Sequence, residues 1–186
     1  MKFHKMTIAG VDRELPICPV NDSLSIGAFV ILGDAELSEA SARELLKLAP
    51  EYDYIITAEA KGITLAHEMA RQHGDRTYFV ARKTPKLYMT GVFQVDVRSI
   101  TTAKDQMLYL DTAEAEMMNG KRILLVDDVI STGESIYAVE KLVKKAGGII
   151  VGRMSILAEG DAQKRDDIIY LEKLPLFHPD GTVMAE

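Results

Sequence analysis

Residues 121–148 read KRILLVDDVISTGESIYAVEKLVKKAGG, and this stretch decides the fold. Residues 123–126 are an unbroken apolar run, the pattern of a strand buried on both faces of a parallel sheet. Asp127 and Asp128 follow at its carboxyl end, then the turn Ile130-Ser131-Thr132-Gly133, rich in hydroxyls and exposed amides. A helical pattern comes next, with Ile136, Val139, Leu142 and Val143 on one side and Lys141, Lys144 and Lys145 near its end. Gly147 and Gly148 stop it. Such a unit is an anion site, because the amides of a helix N-terminus point at the anion and the dipole favours its charge. Ser131, Thr132 and Ser135 add hydroxyl donors. The two carboxylates cannot face a phosphate, but they accept hydrogen bonds from vicinal hydroxyls or hold Mg²⁺ through water. One end suits a phosphate and the other a diol, which together describe a ribose 5-phosphate.

Composition sets the outer limits. The chain has 186 residues, 47% hydrophobic and 27% charged, which suits one globular domain with a substantial core. A net charge of −6 argues against a broad nucleic-acid face, so no DNA partner is expected. No apolar run approaches the ~20 residues of a membrane span, and the basic N-terminus lacks a signal-peptide core. The expectation is a cytoplasmic protein with no membrane partner. Cys18 is the only cysteine, which leaves neither a disulfide framework nor a zinc ligand set.

Outward from the central stretch the strand-turn-helix pattern repeats. Residues 52–57 read as a strand, followed by Ala58-Glu59-Ala60-Lys61-Gly62 and a helix over 63–73. Residues 77–81 read as a third strand, which delivers Arg82, Lys83 and Lys86, three cations within five residues. Open α/β sheets bind ligands at the carboxyl ends of their strands, so these turns and the 127–135 turn open on one cleft. Residues 37–48 form an amphipathic helix with Ser38 as N-cap, Leu45, Leu46 and Leu48 inward and Pro50 beyond its end. Residues 92–97 alternate as a half-exposed strand with 107–110 as partner, and the polar residues 98–105 lie between them. A strand over 149–157, a loop at 159–162 and a last strand over 168–171 complete the sheet before Pro175. Ahead of the core, 2–8 and 14–17 make short strands around the turn 10–12, with Pro16 and Pro19 limiting the ladder. This piece is either an edge hairpin or a cover for the cleft.

The motifs carry a family likeness. VDDVISTGES resembles the phosphoribosyl-diphosphate (PRPP) signature of type I phosphoribosyltransferases, an apolar strand followed by D-D-x-x-x-T-G. E-A-K-G resembles the pyrophosphate loop, E-A-x-G, of the adenine and xanthine enzymes. A-R-K-x-x-K-L resembles a stretch of the adenine enzymes, R-K-x-G-K-L, with Pro85 in place of glycine. A receiver domain can open on a similar strand, but it needs about a hundred further residues beyond it.

By this resemblance Asp127 and Asp128 are the catalytic residues, contacting the ribose hydroxyls and holding Mg²⁺ through water. Ser131, Thr132, Gly133, Glu134 and Ser135 cradle the 5-phosphate, with Glu134 where a glycine is frequent. The amides of Ala60, Lys61 and Gly62 face pyrophosphate, and Arg82, Lys83 and Lys86 neutralise it. Ser99 and Lys104 belong to the flexible active-site loop and reach PRPP. The implied fold is α/β: a mostly parallel, Rossmann-like sheet with flanking helices, a flexible hairpin and a small N-terminal hood. Residues 1–36 make the hood and 37–175 the core of a single phosphoribosyltransferase domain. The implied activity is transfer of the phosphoribosyl group from PRPP to a purine, adenine or xanthine-like, with Mg²⁺, in a homodimer. The alternative is a regulator that senses PRPP without chemistry. Two departures bear on the base. The Glu-Tyr pair of the adenine enzymes is missing from the 98–105 loop, and Leu157-Ala158-Glu159 lacks the lysine that xanthine enzymes carry there. Phe29, Ile17 or Val129 supplies an apolar surface for the ring, between the hood and residues 157–161.

Overall fold

The computed structural model describes residues 2–97 and 106–184, the side chains of Val97 and Gln106 excepted. Its elements run β1 (Phe3–Ile8), β2 (Val11–Pro19), β3 (Ser25–Gly27), α1 (Ala35–Leu48), β4 (Tyr54–Ala58), α2 (Gly62–His73), β5 (Phe79–Ala81), β6 (Val92–Val97) and β7 (Gln106–Asp111). They continue as α3 (Thr112–Met118), β8 (Arg122–Ile130), α4 (Glu134–Lys145), β9 (Ile149–Glu159), a 3-10 helix (Gly160–Lys164), β10 (Ile169–Leu174) and β11 (Leu176–Phe177).

Five strands in the order β10-β9-β8-β4-β5 form the central sheet, and every neighbouring pair in it is parallel. The apolar run of β8 explains why. Successive side chains of a strand point to opposite faces, so an unbroken run must be covered twice. Ile123 and Leu125 enter one core with Val139, Leu142 and Val143 of α4 and with Leu108 and Leu110 of β7. Leu124 and Val126 enter the other with Leu37 and Leu45 of α1 and with Leu65 and Met69 of α2. Fully burying one such side chain is worth about 1.5–3 kcal/mol, so both faces of β8 hold the sheet together. The expected α/β architecture with helices on both faces is the one observed.

Several expected boundaries shift. β8 runs through the diacid to Ile130, so Asp127 and Asp128 lie inside the last part of the strand, paired to β9 from Asp127 (opposite Ser155) to Ile130 (opposite Ala158). α1 begins at Ala35 and its N-cap is Asp34, not Ser38, whose buried hydroxyl donates instead to the Asp34 carbonyl at 2.7 Å. Asp34 accepts from the Leu37 amide at 3.1 Å and from Arg13 of β2 at 2.7 and 2.8 Å, a tertiary anchor that fixes the helix start earlier. Leu45 packs inward as expected, but Leu48 at the helix end is 52% exposed. Residues 160–164 form the 3-10 helix rather than open loop. The hairpin β6–β7 pairs Val92 with Asp111 through Val97 with Gln106, and α3 follows on a capping box of Asp111 and Glu114.

Beside the central sheet lies a second, antiparallel one of order β1-β2-β3-β11. Its first hairpin turns at Ala9 and Gly10, both with positive φ. Pro16 and Pro19 do not interrupt β2. Pro16 faces Phe3 at the end of the β1 ladder, Ile17 donates to Lys2 O at 2.9 Å, and Pro16 O accepts from Ala28 at 2.8 Å. The ladder therefore uses the prolines' carbonyls and their neighbours' amides. The fourth strand comes from the other end of the chain: Leu176 pairs with Ile26, and Phe177 with Ser25. Phe177 is buried and meets His4 edge-to-face at 5.1 Å.

Candidate functional site

The carboxyl ends of β4, β5, β8 and β9 meet at one edge of the central sheet, and every motif residue singled out within the described residues is carried there. At β8 the backbone leaves Ile130, turns at Gly133 with φ 80° and enters α4 at Glu134. Asp127 and residues 129–136 line a hollow of about 50 Å³ in this turn. Gly133 is favoured by its left-handed φ, and its Cα faces the tip of the Arg165 side chain, which a Cβ would displace from 2.6 Å. The Glu134 amide donates to Thr132 Oγ1 at 3.4 Å at the start of α4, where the amides of a helix N-terminus favour an anion.

The diacid is the electrostatic centre of this edge. Asp128 is 4% exposed, and its Oδ2 lies 2.9 Å from Lys61 Nζ, a close ion pair too oblique for a hydrogen bond. Asp127 Oδ1 accepts from the Asp128 amide at 2.9 Å. Burial, reinforced by the Asp128 charge next door, pushes the Asp127 carboxyl up to about 7. Two adjacent carboxyls, one raised by burial and by its neighbour's charge, favour an added cation or hydrogen-bond donor. No group of three or more His, Cys, Asp or Glu side chains among the described residues is arranged to hold a metal by itself. That fits Mg²⁺, which keeps several waters and takes one or two carboxylates together with substrate phosphates.

The Glu59-to-Gly62 turn closes against the diacid. The Glu59–Ala60 peptide is cis. A Cβ on Gly62 would stand 2.1 Å from Thr57 Oγ1 and 3.1 Å from Asp127 Oδ1, so only glycine lets the turn pack onto β4 and the strand beside it. Lys61 was expected to offer its amide; its side chain in addition reaches Asp128 and joins the two motifs. The Arg82, Lys83 and Lys86 cluster converges on Glu59, a residue the motif reading quoted without giving it a role. Glu59 Oε2 accepts from the Lys83 amide at 3.0 Å, and Oε1 lies 3.6 Å from Arg82 Nη1 and 3.5 Å from Lys86 Nζ. The Lys83 amide above all, with the Lys86 and Arg82 charges, holds the Glu59 carboxyl below its ordinary range despite some desolvation. Glu59 thus ties the β4 turn to the β5 turn. Its place as the first residue of E-A-K-G was the available signal. Arg165, against Gly133, carries no motif and was not legible in the sequence.

Phe29 is buried in the α1/α2 core and offers no free face to a ring, whereas Ile17 and Val129 are half-buried. Ser99 and Lys104 lie outside the described residues. A concavity of about 590 Å³ sits among Gln163, Pro175, Leu176 and Met184, and none of the phosphate, diol or pyrophosphate residues lines it. Volume alone does not locate chemistry; the chemically equipped hollow is the small one.

This is an α/β protein that assembles its site at the carboxyl edge of a parallel sheet. The chain belongs to the phosphoribosyl transferase domain family, whose sequence model matches residues 32–176. A hypoxanthine/guanine phosphoribosyltransferase of Methanococcus voltae is 33% identical over 69% of this chain and 65% of its own length. Its counterpart in Methanotorris igneus is 31% identical over 85% of this chain and 80% of its own length. Relatives named for orotate, adenine and xanthine match at 30% identity. The solved adenine phosphoribosyltransferase of Thermoanaerobacter pseudethanolicus aligns with TM-score 0.69 at 25% identity, covering 86% of this chain and 95% of that one. The fold is the type I phosphoribosyltransferase fold, and the family is one of glycosyl-transferring enzymes.

Proposed function

We propose that the protein transfers the 5-phosphoribosyl group of PRPP to a ring nitrogen of a purine, giving a nucleoside 5′-monophosphate and pyrophosphate, in nucleotide salvage. The observation that carries this reading is the meeting, on one sheet edge, of the hydroxyl-rich turn 131–135, the Asp127–Asp128 pair and the Glu59-braced cations. A phosphate, a diol and a pyrophosphate are the three polar groups of PRPP, and each has its counterpart there.

In this reading the amides and hydroxyls of Ser131 to Ser135 hold the 5-phosphate, and Asp127 and Asp128 accept from the ribose hydroxyls. The amides of Ala60, Lys61 and Gly62, with Arg82, Lys83 and Lys86, hold the leaving pyrophosphate. The bond from C1 of the ribose to the pyrophosphate oxygen breaks as the bond to the base nitrogen forms, through an oxocarbenium-like transition state. The chain's part is to orient both partners, stabilise the charge on the departing oxygens and keep water out. Mg²⁺, when bound, would be held through water by Asp127 and Asp128 and would supply charge neutralisation at the pyrophosphate. Ser99 and Lys104 complete the PRPP contacts. The terminal sheet serves as the hood of a single domain, and the setting is a homodimer in the cytoplasm.

The test is to incubate the protein with PRPP, Mg²⁺ and each common nucleobase in turn and to follow pyrophosphate release. Release with a purine is the expected result. Orotate or uracil supporting turnover while all purines stay inert overturns the purine assignment. PRPP binding with no release for any base favours the regulator.

A further inference from the structure

Glu159 closes β9 at the edge that carries the proposed site. The β8–β9 ladder pairs Ile130 with Ala158, so the next residue, Glu159, stands beside Ser131 at the start of the phosphate turn. Strand alternation fixes its direction. Leu157 packs into the α1/α2 core and Ala158 into the α4 core, so Glu159 returns to the α1/α2 side, the side of the Glu59-to-Gly62 turn. Lys61 acts on it electrostatically from there. Directly after it, Gly160 backs onto Leu176, where a Cβ would come within 3.4 Å of the Leu176 Cδ1. Glu159 therefore occupies the seam between the central sheet and the terminal sheet, next to the diol and phosphate residues.

Its environment asks for a ligand. The side chain is half-buried, and among the described residues its carboxyl has neither a hydrogen bond nor an ion pair. Burial raises its pKa, and the Lys61 charge opposes that rise. Every other carboxylate singled out at this edge, Glu59 and Asp128 included, has a cation or an amide in contact. A desolvated acceptor pair without donors is costly, and a bound molecule that brings two N–H groups removes the cost.

We propose that Glu159 is a base-selecting residue: its carboxylate accepts from two adjacent N–H donors on the purine edge, the pattern of a 2-amino-6-oxopurine. This rests on the phosphoribosyl-transfer reading above and adds the substrate class. In guanine the N1–H and the 2-amino group point the same way, spaced for the two oxygens of one carboxylate. Hypoxanthine offers one of these donors. Xanthine places a carbonyl oxygen where the 2-amino group would be, and adenine turns a lone pair at N1 toward the carboxylate. The order of use is guanine, then hypoxanthine, with adenine and xanthine last.

The experiment measures kcat/KM for guanine, hypoxanthine, adenine and xanthine, with PRPP and Mg²⁺, in wild type, Glu159→Gln and Glu159→Leu. Guanine is expected to lead hypoxanthine by about tenfold to a hundredfold in wild type, the span of one charge-assisted hydrogen bond. Both variants should collapse that ratio toward one, mainly through the KM for guanine. Affinity for PRPP without base, measured by calorimetry, shows that the variants remain folded. A wild type that prefers adenine or xanthine, or a guanine-to-hypoxanthine ratio unmoved by both variants, overturns the assignment while leaving purine transfer intact. Absence of release with every purine removes the parent reading and this inference with it.

Discussion

Asp128 combines the deepest burial among the motif residues that bear charge with a partner, Lys61, that is 46% exposed. Replacing it by Asn keeps the volume and removes the charge. The lost ion pair costs little, because one partner is largely solvated, and relief of its repulsion with Asp127 works in the other direction. Asp128→Asn is therefore expected to leave the melting temperature within a few degrees of wild type while turnover falls by about tenfold to a hundredfold. Near wild-type turnover would refute the diol role. Gly62 gives a steric counterpart. Gly62→Ala should destabilise by about 1–3 kcal/mol and weaken PRPP binding, because the new methyl meets Thr57 Oγ1. Thr57→Ala in the same chain should return part of the lost stability in denaturant titration, a coupling that independent sites would not show. At this scale the sequence was informative wherever a motif constrains backbone and charge together, as in V-D-D and E-A-K-G. It was silent on Lys61 reaching Asp128 and on Arg82 and Lys86 gathering at Glu59, since no local pattern records which side chains meet across separate turns.

At the scale of elements, the β4 and β5 turns act through one shared carboxylate. Changing Arg82, Lys83 and Lys86 together to Ala should weaken binding of PRPP and pyrophosphate far more than binding of the product mononucleotide, which has no pyrophosphate. Equal losses for both ligands would assign the cluster a general electrostatic or stabilising role. The start of α1 supplies a second case. Asp34 caps the helix and pairs with Arg13, and the guanidinium holds its carboxyl below the usual range. A lowered carboxylate contributes stability that is present above its ordinary pKa, near about 4, and is lost as pH falls through the lower folded value. Asp34→Ala is thus expected to cost about 1–2 kcal/mol at pH 7, with the difference from wild type shrinking below pH 4 in urea titrations. The strands and helices of the central sheet were legible because their apolar periods are long and regular. Ser38 was a sound local reading of the cap, and it lost to Asp34 because β2 supplies an arginine that sequence proximity does not reveal. β11 is two residues long, too short for any period, so its backbone partners in β3 and at Val183 define it as a strand.

Over the whole molecule, the terminal sheet depends on residues from both ends of the chain. Phe177→Ala should cost about 3–5 kcal/mol, as large-to-small changes at fully buried aromatics do, and the loss should appear as a lower thermal midpoint. A midpoint unchanged from wild type would mean that the terminal sheet melts separately from the central one. The pairing of Ile26 with Leu176 also orders events during synthesis. A chain emerging from the ribosome exposes β4, β5 and β8, with the acidic pair and the turn that follows it, before β11 leaves the exit tunnel, whereas β10, which ends at Leu174, emerges together with β11. The residues proposed to hold the phosphorylated sugar are thus synthesised while the sheet next to Glu159 still lacks its closing strand. Vectorial translation separates in time two parts of the surroundings of Glu159 that the finished fold presents together.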